Sequence, residues 1–350
     1  MPDGRDAFMT PCCTWCVFVA AAAVATVVLL AWSASFFRRR FSLDGRVVVV
    51  TGAASGIGRR LCEVIIARSR PASLLLLDVD EDALARLKSA LQQQAEARPD
   101  NSESGHSKGR VRTDVRSFKC DVSDERSVGE VVDRIEASIS PRHIDVLVNN
   151  AGIVNGASVD TLTSAQIRRV LEVNALGQMW MIKAVLPGMK KAPGDSVIVS
   201  VASVMGLISG ANLADYCASK AAVCAFLDCL RLELWRDGFQ RINTLLVCPN
   251  AVDTGMFRGI MEGETWPAWL SRLLLPMSTD MDAAERIYTA ITRREQLVVS
   301  CYTGWRGVVV PWLPAVSRLL PVSLYDFVVF LGGAVDGMDT FVGRQKDKQA

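Results

Sequence analysis

The sequence predicts an α/β fold in which helices cover both faces of one parallel sheet, a doubly wound arrangement within a single domain. Short runs of valine, isoleucine and leucine alternate with longer helix-like stretches from about residue 42 to residue 302. Alternating elements of this kind build parallel sheets. A glycine-rich segment at residues 51–58 joins the first run to the first helix. Ligands of such sheets lie beyond the carboxyl ends of the strands.

The first strand, the glycine segment and the first helix form one unit. Residues 46–50 are a β-branched run typical of a buried parallel strand, and residues 59–67 have the pattern of a helix. Gly52, Gly56 and Gly58 would let the backbone approach a pyrophosphate, which the helix N-terminus would receive with its amide groups. A glycine-rich turn with no ligand is the alternative.

The second predicted strand, residues 73–77, ends in Asp78. A carboxylate at this position accepts hydrogen bonds from ribose hydroxyls and repels a 2′-phosphate. No lysine or arginine stands at Ser55 or Val79 to neutralise such a phosphate. The residues therefore favour NAD over NADP. The alternative role for Asp78, compatible with the first, is to cap a helix that begins near Asp80.

The remaining chain continues the alternation. Further strands are predicted at residues 111–120, 145–149, 196–200, 241–248 and 296–300, and further helices at 123–138, 164–186 and 213–237. Residues 92–110 are rich in polar residues and predict a disordered insertion before the third strand.

Tyr216 and Lys220 stand four residues apart on a predicted helix, so their side chains share one face. The free pKa of tyrosine is about 10. A lysine ammonium beside it favours the phenolate and draws the pKa toward neutral pH. The hydroxyl of Ser203 could hold the same substrate oxygen, which suits proton transfer to or from an alcohol. The alternative for the pair alone is an exposed helix with a lysine on its rim.

Together these motifs resemble the short-chain dehydrogenase/reductase family, in its compact single-domain form with a Rossmann-like fold. The carriers are residues 51–58, Asp78, Cys120-Asp-Val122, Asn149-Asn-Ala-Gly152, Asn174, Ser203, Tyr216-x-x-x-Lys220 and Cys248-Pro-Asn-Ala-Val-Asp-Thr254. The strings Asp-Tyr-Cys-Ala-Ser-Lys220, Val-Asp-Thr-Gly-Met-Phe257 and Met-Asp-Thr-Phe-Val-Gly-Arg344 resemble the membrane-bound branch that holds retinol and 17-beta-hydroxysteroid dehydrogenases.

The resemblance implies a role for each matching residue. Tyr216 would be the general acid/base, Ser203 would orient the substrate oxygen, and Lys220 would lower the tyrosine pKa and bind the nicotinamide ribose. Asn174 would complete a proton relay through water. Asp121 would contact the adenine, and Thr254 the nicotinamide amide. Besides Tyr216 and Lys220, the implied cofactor-binding residues are Gly52, Ser55, Gly56, Ile57, Gly58, Asp78, Asp121, Val122, Asn149, Ala151, Gly152, Asn250, Val252 and Thr254, with residues 149–152 as the floor of the site.

One position departs from the family pattern. The family usually has Pro-Gly after the sixth strand, whereas this chain has Pro249-Asn250. Asparagine tolerates positive φ better than most residues, so we expect the turn to be kept.

Residues 15–37 follow a short N-terminal tail, residues 1–14, and predict a membrane helix, since 23 uncharged residues span about 34 Å against a hydrocarbon core of about 30 Å. Arg38, Arg39 and Arg40 follow, which by the positive-inside rule places the catalytic domain in the cytosol. The alternative is a cleaved signal peptide. With the family resemblance, the expected location is the endoplasmic reticulum membrane or the surface of lipid droplets.

Two further apolar segments suggest contact with lipid. Residues 256–277 are expected to form a lid over an apolar substrate, or an amphipathic helix on the protein or the membrane. Residues 308–333 are apolar but interrupted by prolines and by Arg318 and Asp326. Within a carboxyl-terminal extension of residues 303–350, they predict a membrane-surface segment followed by a polar tail.

Composition limits the partners. The net charge of +2 gives no reason to expect nucleic acid binding. No Cys/His cluster has metal-ligand spacing, and we expect neither a metal nor a structural disulfide. Cys62, Cys224, Cys229 and Cys248 are expected in the core. The family resemblance implies a homodimer.

The sequence therefore predicts an NAD-dependent oxidoreductase acting on a lipophilic alcohol. Two alternatives stay open. One is an NADPH-dependent lipid ketone reductase of the 3-keto-sphinganine type, against which Asp78 argues. The other is a non-catalytic lipid-droplet protein that keeps the fold.

Overall fold

The structure is a computed structural model that describes residues 40–98, 112–257, 277–302, 307, 310–335, 338 and 341. Residues from Phe41 onward belong to one compact unit. The predicted membrane helix at residues 15–37 lies outside the described residues, as do most of the predicted insertion and of the predicted lid. In the described part of the chain, no helix is both long and apolar enough to cross a membrane.

Strands and helices alternate along the described chain. The strands are β1 (Val47–Thr51), β2 (Ser73–Asp78), β3 (Asp114–Lys119), β4 (Val146–Asn149), β5 (Ser196–Val201), β6 (Ile242–Cys248), β7 (Val252–Asp253), β8 (Ser278–Thr279) and β9 (Leu297–Val299). The helices are α1 (Gly56–Arg68), α2 (Glu81–Ala97), α3 (Glu125–Ile139), α4 (Ser164–Leu171), α5 (Gly177–Lys191), α6 (Ala214–Arg236), α7 (Asp280–Arg293), α8 (Leu313–Ser317) and α9 (Val322–Leu331).

Seven of these strands form one sheet in the order β3-β2-β1-β4-β5-β6-β9, and every pair is parallel. The first strand, β1, pairs with β2 on one side and with β4 on the other. The chain therefore reverses its direction of travel across the sheet at β1. The carboxyl ends of the strands at such a switch point leave a crevice for a ligand.

Alternate residues of β1 pack into two different cores. Val47 and Val49 belong to a cluster with residues of α3, α5 and α6, whereas Val48 and Val50 belong to a cluster with residues of α1, α2 and α7. Because successive side chains of a strand point to opposite faces, helices must cover both faces of the sheet. The predicted doubly wound α/β fold with a parallel central sheet is confirmed.

Two predicted boundaries need correction. Helix α2 continues to Ala97, six residues into the predicted insertion. Leu84, Leu87 and Leu91 form a buried stripe along this helix, and the glutamines and alanines that follow are good helix formers. The predicted helix at residues 164–186 is two helices, α4 and α5, joined by a π-helical turn at Glu172–Leu176.

One predicted core residue is also misplaced. Cys229 lies on the exposed face of α6, whereas Cys62, Cys224 and Cys248 are buried as expected. The apolar neighbours of Cys229 in sequence face the core, but its own position on the helix does not.

The carboxyl-terminal part described here folds into short helices. Val310–Trp312 is a 3-10 turn, α8 follows it directly, and Pro321 precedes α9. Pro321 thus separates α9 from α8. Pro311 lies within the 3-10 turn and Pro314 in the first turn of α8, where proline is tolerated because the amide hydrogen has no partner within the helix.

Candidate active site

The glycine segment forms a tight turn between β1 and α1. Gly52 has φ +63° and Gly56 has φ +51°, a backbone region that favours glycine. A Cβ added to Gly58 would lie 2.2 Å from the carbonyl oxygen of Gly52. Only glycine permits this approach of helix to turn, so Gly58 shapes the loop from behind and does not itself line the cleft.

Asp78 ends β2 beside this turn. Its carboxylate accepts hydrogen bonds from the backbone amides of Ala54 (3.0 Å) and Asp80 (3.2 Å). The side chain that caps α2 is Asp80, which accepts from the amide of Ala83 at 2.9 Å. The carboxylate of Asp78 is therefore fixed against the glycine turn, at one end of the cleft.

Three of the predicted catalytic side chains meet at the other end of the cleft. Ser203 follows β5 and begins a short 3-10 turn, where its Oγ accepts a hydrogen bond from the amide of Met205 at 3.1 Å. Tyr216 and Lys220 lie on consecutive turns of α6, and the Nζ of Lys220 is 5.7 Å from the centre of the Tyr216 ring. All three are buried, at 8%, 4% and 3% exposure respectively.

Burial controls the protonation of this group. It raises the pKa of Tyr216 above its ordinary value, although a hydrogen bond with Ser203 acts in the opposite direction. It lowers the pKa of Lys220 from 10.5 to about 8. The Nζ of Lys220 donates to the backbone oxygen of Val201 at 3.0 Å. Desolvation of the phenolate thus outweighs the hydrogen bond from Ser203 in the protein chain. The lowering of the Tyr216 pKa by Lys220 stays a prediction.

Asn174 is fully buried within the π-helical turn. Its Oδ1 accepts from the amide of Ile153 at 2.8 Å, and its Nδ2 donates to the oxygen of Ile153 at 2.9 Å and to Ser219 Oγ at 3.0 Å. The side chain thus clamps the segment after β4 to α6. A Cβ on Gly152 would lie 3.4 Å from both Asn174 Oδ1 and Lys220 Nζ, so the two side chains approach each other there.

Asn250 stands where the family usually has glycine, and it does not fit the turn through the positive φ that the sequence predicted. Asn250 does not adopt a positive φ. Its side chain instead bonds to Ser278 Oγ at 2.9 Å and accepts from the amide of Cys301 at 2.9 Å. Asn250 therefore ties the end of β6 to β8 and to the segment after β9, a role that a glycine could not fill.

One cleft brings together most of the predicted site residues. Those that line it are Gly52, Ser55, Gly56, Ile57, Asp78, Asp121, Val122, Ala151, Gly152, Ser203, Tyr216, Lys220, Asn250, Val252 and Thr254. Gly58, Asn149 and Asn174 lie behind this surface. Asn149 is fully buried, and its Nδ2 donates to the oxygen of Gln178 at 3.4 Å.

The cleft also contains residues to which the motifs assigned no role in the site. Arg169 of α4 lines it and forms an ion pair with Asp121 at 3.1 Å. Although burial acts to raise it, the pKa of the Asp121 carboxyl is lowered by hydrogen bonds from Ser123 and by this ion pair. Met256 and Phe257 line it as well, with the Phe257 ring edge-on to Tyr216 at 5.8 Å between centres. Arg169 belongs to no local motif and only the fold brings it to Asp121. Phe257 lies within the predicted lid.

The shape and chemistry of the cleft fit a nicotinamide dinucleotide. A Cβ on Gly52 would lie 2.8 Å from the Cα of Ala151, so only glycine lets the turn pack this closely against the segment after β4. The amino end of α1 and the carboxylate of Asp78 stand where a pyrophosphate and a ribose are bound at such switch points. The residues present therefore suit the cofactor implied by the motifs.

Comparison with known proteins agrees with this geometry. Residues 46–265 match the family model for short chain dehydrogenases. The chain is 31% identical to short-chain dehydrogenase/reductase family 16C member 6 of Bos taurus, over 75% of this chain and 74% of that protein. It is 36% identical to retinol dehydrogenase 10-B of Danio rerio, over 66% of this chain and 68% of that protein.

A solved structure has the same arrangement. The short-chain dehydrogenase/reductase of Burkholderia phymatum, crystallised in complex with NAD, is 26% identical and superposes with a TM-score of 0.61, covering 80% of this chain and 94% of that one. The fold, the family model and these relatives agree, and the chain belongs to the short-chain dehydrogenase/reductase family, as an oxidoreductase that uses a nicotinamide dinucleotide.

Proposed function

We propose that this protein oxidises a lipophilic alcohol to the corresponding carbonyl compound, with NAD as the hydride acceptor and Tyr216 as the general base. The observation that carries the proposal is the meeting of Ser203, Tyr216 and Lys220 at the buried end of the cleft whose other end holds Asp78.

In this proposal the side chains divide the chemical tasks among them. The hydroxyl of Ser203 holds the substrate oxygen, and the phenolate of Tyr216 takes the hydroxyl proton as the carbonyl forms. NAD would supply the hydride acceptor for the substrate carbon, through a nicotinamide ring that carries a positive charge. Lys220 adds positive charge beside the ring and would bind the nicotinamide ribose. Asn174 holds Ile153 and Ser219 in place and, beside Gly152, would position water for the relay.

The preference for NAD rests on the surroundings of Asp78. A carboxylate held by two backbone amides cannot turn away from a 2′-phosphate without losing both hydrogen bonds. The next residue, Val79, is 53% exposed and carries no charge that could neutralise a phosphate. An NADPH-dependent reductase would face this repulsion, so the ketone-reductase alternative is the weaker proposal.

The substrate class is proposed from the apolar walls near Tyr216. Met256 and Phe257 line the cleft beside it, and Phe257 contacts its ring. The retinol dehydrogenases among the relatives are 35–37% identical to this chain. An apolar alcohol with its hydroxyl at one end, such as retinol, a steroid or a long-chain alcohol, is the class that we propose.

Such substrates dissolve in membranes, and we propose that the protein works at a membrane surface. Residues 15–37 are the predicted anchor. The carboxyl-terminal helices expose large apolar side chains, among them Trp312 (67%), Leu319 (85%), Val322 (75%) and Phe327 (54%). An exposed apolar surface that includes a tryptophan suits the interface of a bilayer. The endoplasmic reticulum or lipid droplets would be its location, and the homodimer stays a prediction.

The test is an activity screen of membranes that contain the full-length protein. Retinol, a steroid alcohol and a long-chain alcohol are offered with NAD or with NADP, and reduced cofactor is followed by absorbance. The proposal expects oxidation of at least one alcohol with NAD as the better cofactor. Reduction of lipid ketones with NADPH alone would favour the ketone reductase. Absence of turnover in both directions would favour the non-catalytic protein.

A further inference from the structure

A second cavity, of about 170 Å³, lies beside the cleft. One wall comes from the segment between β5 and α6, residues 204–213. Another wall comes from the carboxyl-terminal segment, residues 310–334 and Met338, including Val329 of α9. An apolar cavity of about 150 Å³ in another protein accepts benzene. This cavity therefore has room for one ring or for a short length of hydrocarbon.

The cavity adjoins the proposed catalytic group. Val204 and Met205, which follow Ser203 directly, line it, and Asn250 lines both the cavity and the cleft. Leu213 and Met338, which also line the cavity, pack with Tyr216 in one buried cluster. A molecule with its hydroxyl at Ser203 and Tyr216 would thus have the cavity within reach of its other end.

The chemistry of the walls favours hydrocarbon. Among the described residues that line the cavity, none carries a charge. The hydroxyl of Ser317 donates to the oxygen of Pro314 at 3.0 Å, and the side chain of Asn250 is bonded to Ser278 and Cys301. These two polar groups are already satisfied within the protein, so they do not require a polar ligand. Tyr302 is the one further residue with a polar side chain among the described lining residues.

The carboxyl-terminal wall is held in place by specific contacts. The amide of Ala211 donates to the oxygen of Ala334 at 2.9 Å, and the amide of Ser209 donates to the hydroxyl of Tyr325 at 3.1 Å. Arg318 stacks on the Tyr325 ring at 5.0 Å. The family match ends at residue 265. This wall is therefore an addition of this chain to the part that the family model describes.

We propose that this cavity binds the apolar body of the alcohol substrate, and that the carboxyl-terminal segment thereby selects alcohols with a long apolar part. The inference rests on the proposed oxidation at Ser203 and Tyr216. Inside the cavity, hydrocarbon leaves water and contacts the side chains of Leu213, Leu313 and Val329. Each methylene buried in this way should improve kcat/KM about fourfold until the cavity is full.

The kinetic test uses the full-length protein in lipid nanodiscs with NAD and a series of 2-alkanols from 2-butanol to 2-dodecanol. Val329→Phe fills the cavity, and Val316→Phe is the matched control, because Val316 belongs to α8 but is 52% exposed and does not line the cavity. We expect Val329→Phe to lower kcat/KM for 2-decanol at least about tenfold and to leave that for 2-butanol nearly unchanged. The control should change neither value.

A second variant distinguishes a change in substrate selectivity from a general folding defect. Val329→Ala enlarges the cavity and should shift the best substrate to a longer alcohol. Equal losses for 2-butanol and 2-decanol in Val329→Phe, together with no shift in Val329→Ala, would overturn the inference while the oxidation itself remained established.

Photolabelling locates the apolar end without requiring turnover. A long-chain 2-alkanol with a diazirine at its far end is bound in the presence of NADH, irradiated, and the modified peptides are identified by mass spectrometry. The inference expects label in residues 204–213 and 310–335, and loss of that label in Val329→Phe. Label confined to other parts of the protein would refute it. Correct labelling without turnover of any alcohol would refute the proposed function and leave the binding site standing.

Discussion

Replacing Lys220 with methionine should remove a cost of folding that depends on pH. Lys220 is 3% exposed, and burial lowers its pKa from 10.5 to about 8. At neutral pH the folded protein must therefore hold an ammonium group in a place that disfavours it. Each pKa unit corresponds to about 1.4 kcal/mol, so the ammonium costs the folded state up to about 3 kcal/mol below pH 8.

The sign of the pH dependence follows from proton binding. Between the two pKa values the unfolded chain binds the proton and the folded chain does not, so the free energy of unfolding rises with pH. The cost is present in full below about pH 8 and disappears as the pH rises to 10.5. Methionine has a similar length and no charge, so the variant should lack this dependence.

The assay is thermal unfolding of the full-length protein, followed by circular dichroism at pH 7.5 and at pH 10. Raising the pH should stabilise the unsubstituted protein, relative to Lys220→Met, by about 2 to 3 kcal/mol. That difference corresponds to roughly 5 to 10 °C in relative Tm for a domain of this size. Lys183→Met serves as control, because the Lys183 side chain is 75% exposed. If the Tm difference between the unsubstituted protein and Lys220→Met is the same at both pH values, burial does not lower the Lys220 pKa.

Four further predictions concern the cofactor, the glycine turn, pH and the membrane. Asp78→Ser with Val79→Arg should shift the ratio of kcat/KM for NAD to that for NADP by on the order of 100-fold toward NADP, since a carboxylate facing a phosphate costs several kcal/mol; an unchanged ratio would contradict the assignment. Gly58→Ala should lower the free energy of unfolding by about 1–3 kcal/mol, measured as a lower Tm, because its Cβ would meet the oxygen of Gly52. Since burial raises the pKa of Tyr216, the rate of alcohol oxidation should increase from pH 7 to pH 9, and a falling rate would argue against a phenolate base. Protease added to intact microsomes should digest the catalytic domain without detergent, and protection of that domain would place it in the lumen.

The fold could be predicted from the sequence because its signals are local. Six of the seven strands of the large sheet are short, largely apolar runs, whereas the edge strand β3 is mostly polar. Each of the seven lies within three residues of the predicted bounds at either end. The glycine turn and Asp78 follow their strands directly, so the parallel sheet alone brings them to one edge. The error in α2 arose from its polar composition, since residues 92–97 are helical although they have few apolar side chains to mark a buried face.

The sequence predicted the site residues that belong to a motif. It did not predict the roles that depend on contacts between residues distant in sequence. Arg169 of α4 reaches Asp121, the second residue after β3, only through the tertiary fold, since the two are 48 positions apart in sequence. Asn250 keeps its turn through Ser278 and Cys301, which are distant in sequence. The pKa of Tyr216 depends on how completely the ring is buried, and the spacing from Lys220 indicates only the opposing charge.

The central claim is that Tyr216 exchanges the proton of the alcohol. The most direct test is the rate of alcohol oxidation with NAD by the full-length protein and by Tyr216→Phe. Tyr288→Phe is the matched control, since the Tyr288 hydroxyl pairs with Ser69 at 2.7 Å and does not line the cleft. We predict that Tyr216→Phe lowers kcat by about 10²- to 10⁴-fold with NAD binding and Tm nearly unchanged, and that the control keeps its activity. A Tyr216→Phe protein with near-normal kcat would contradict the account.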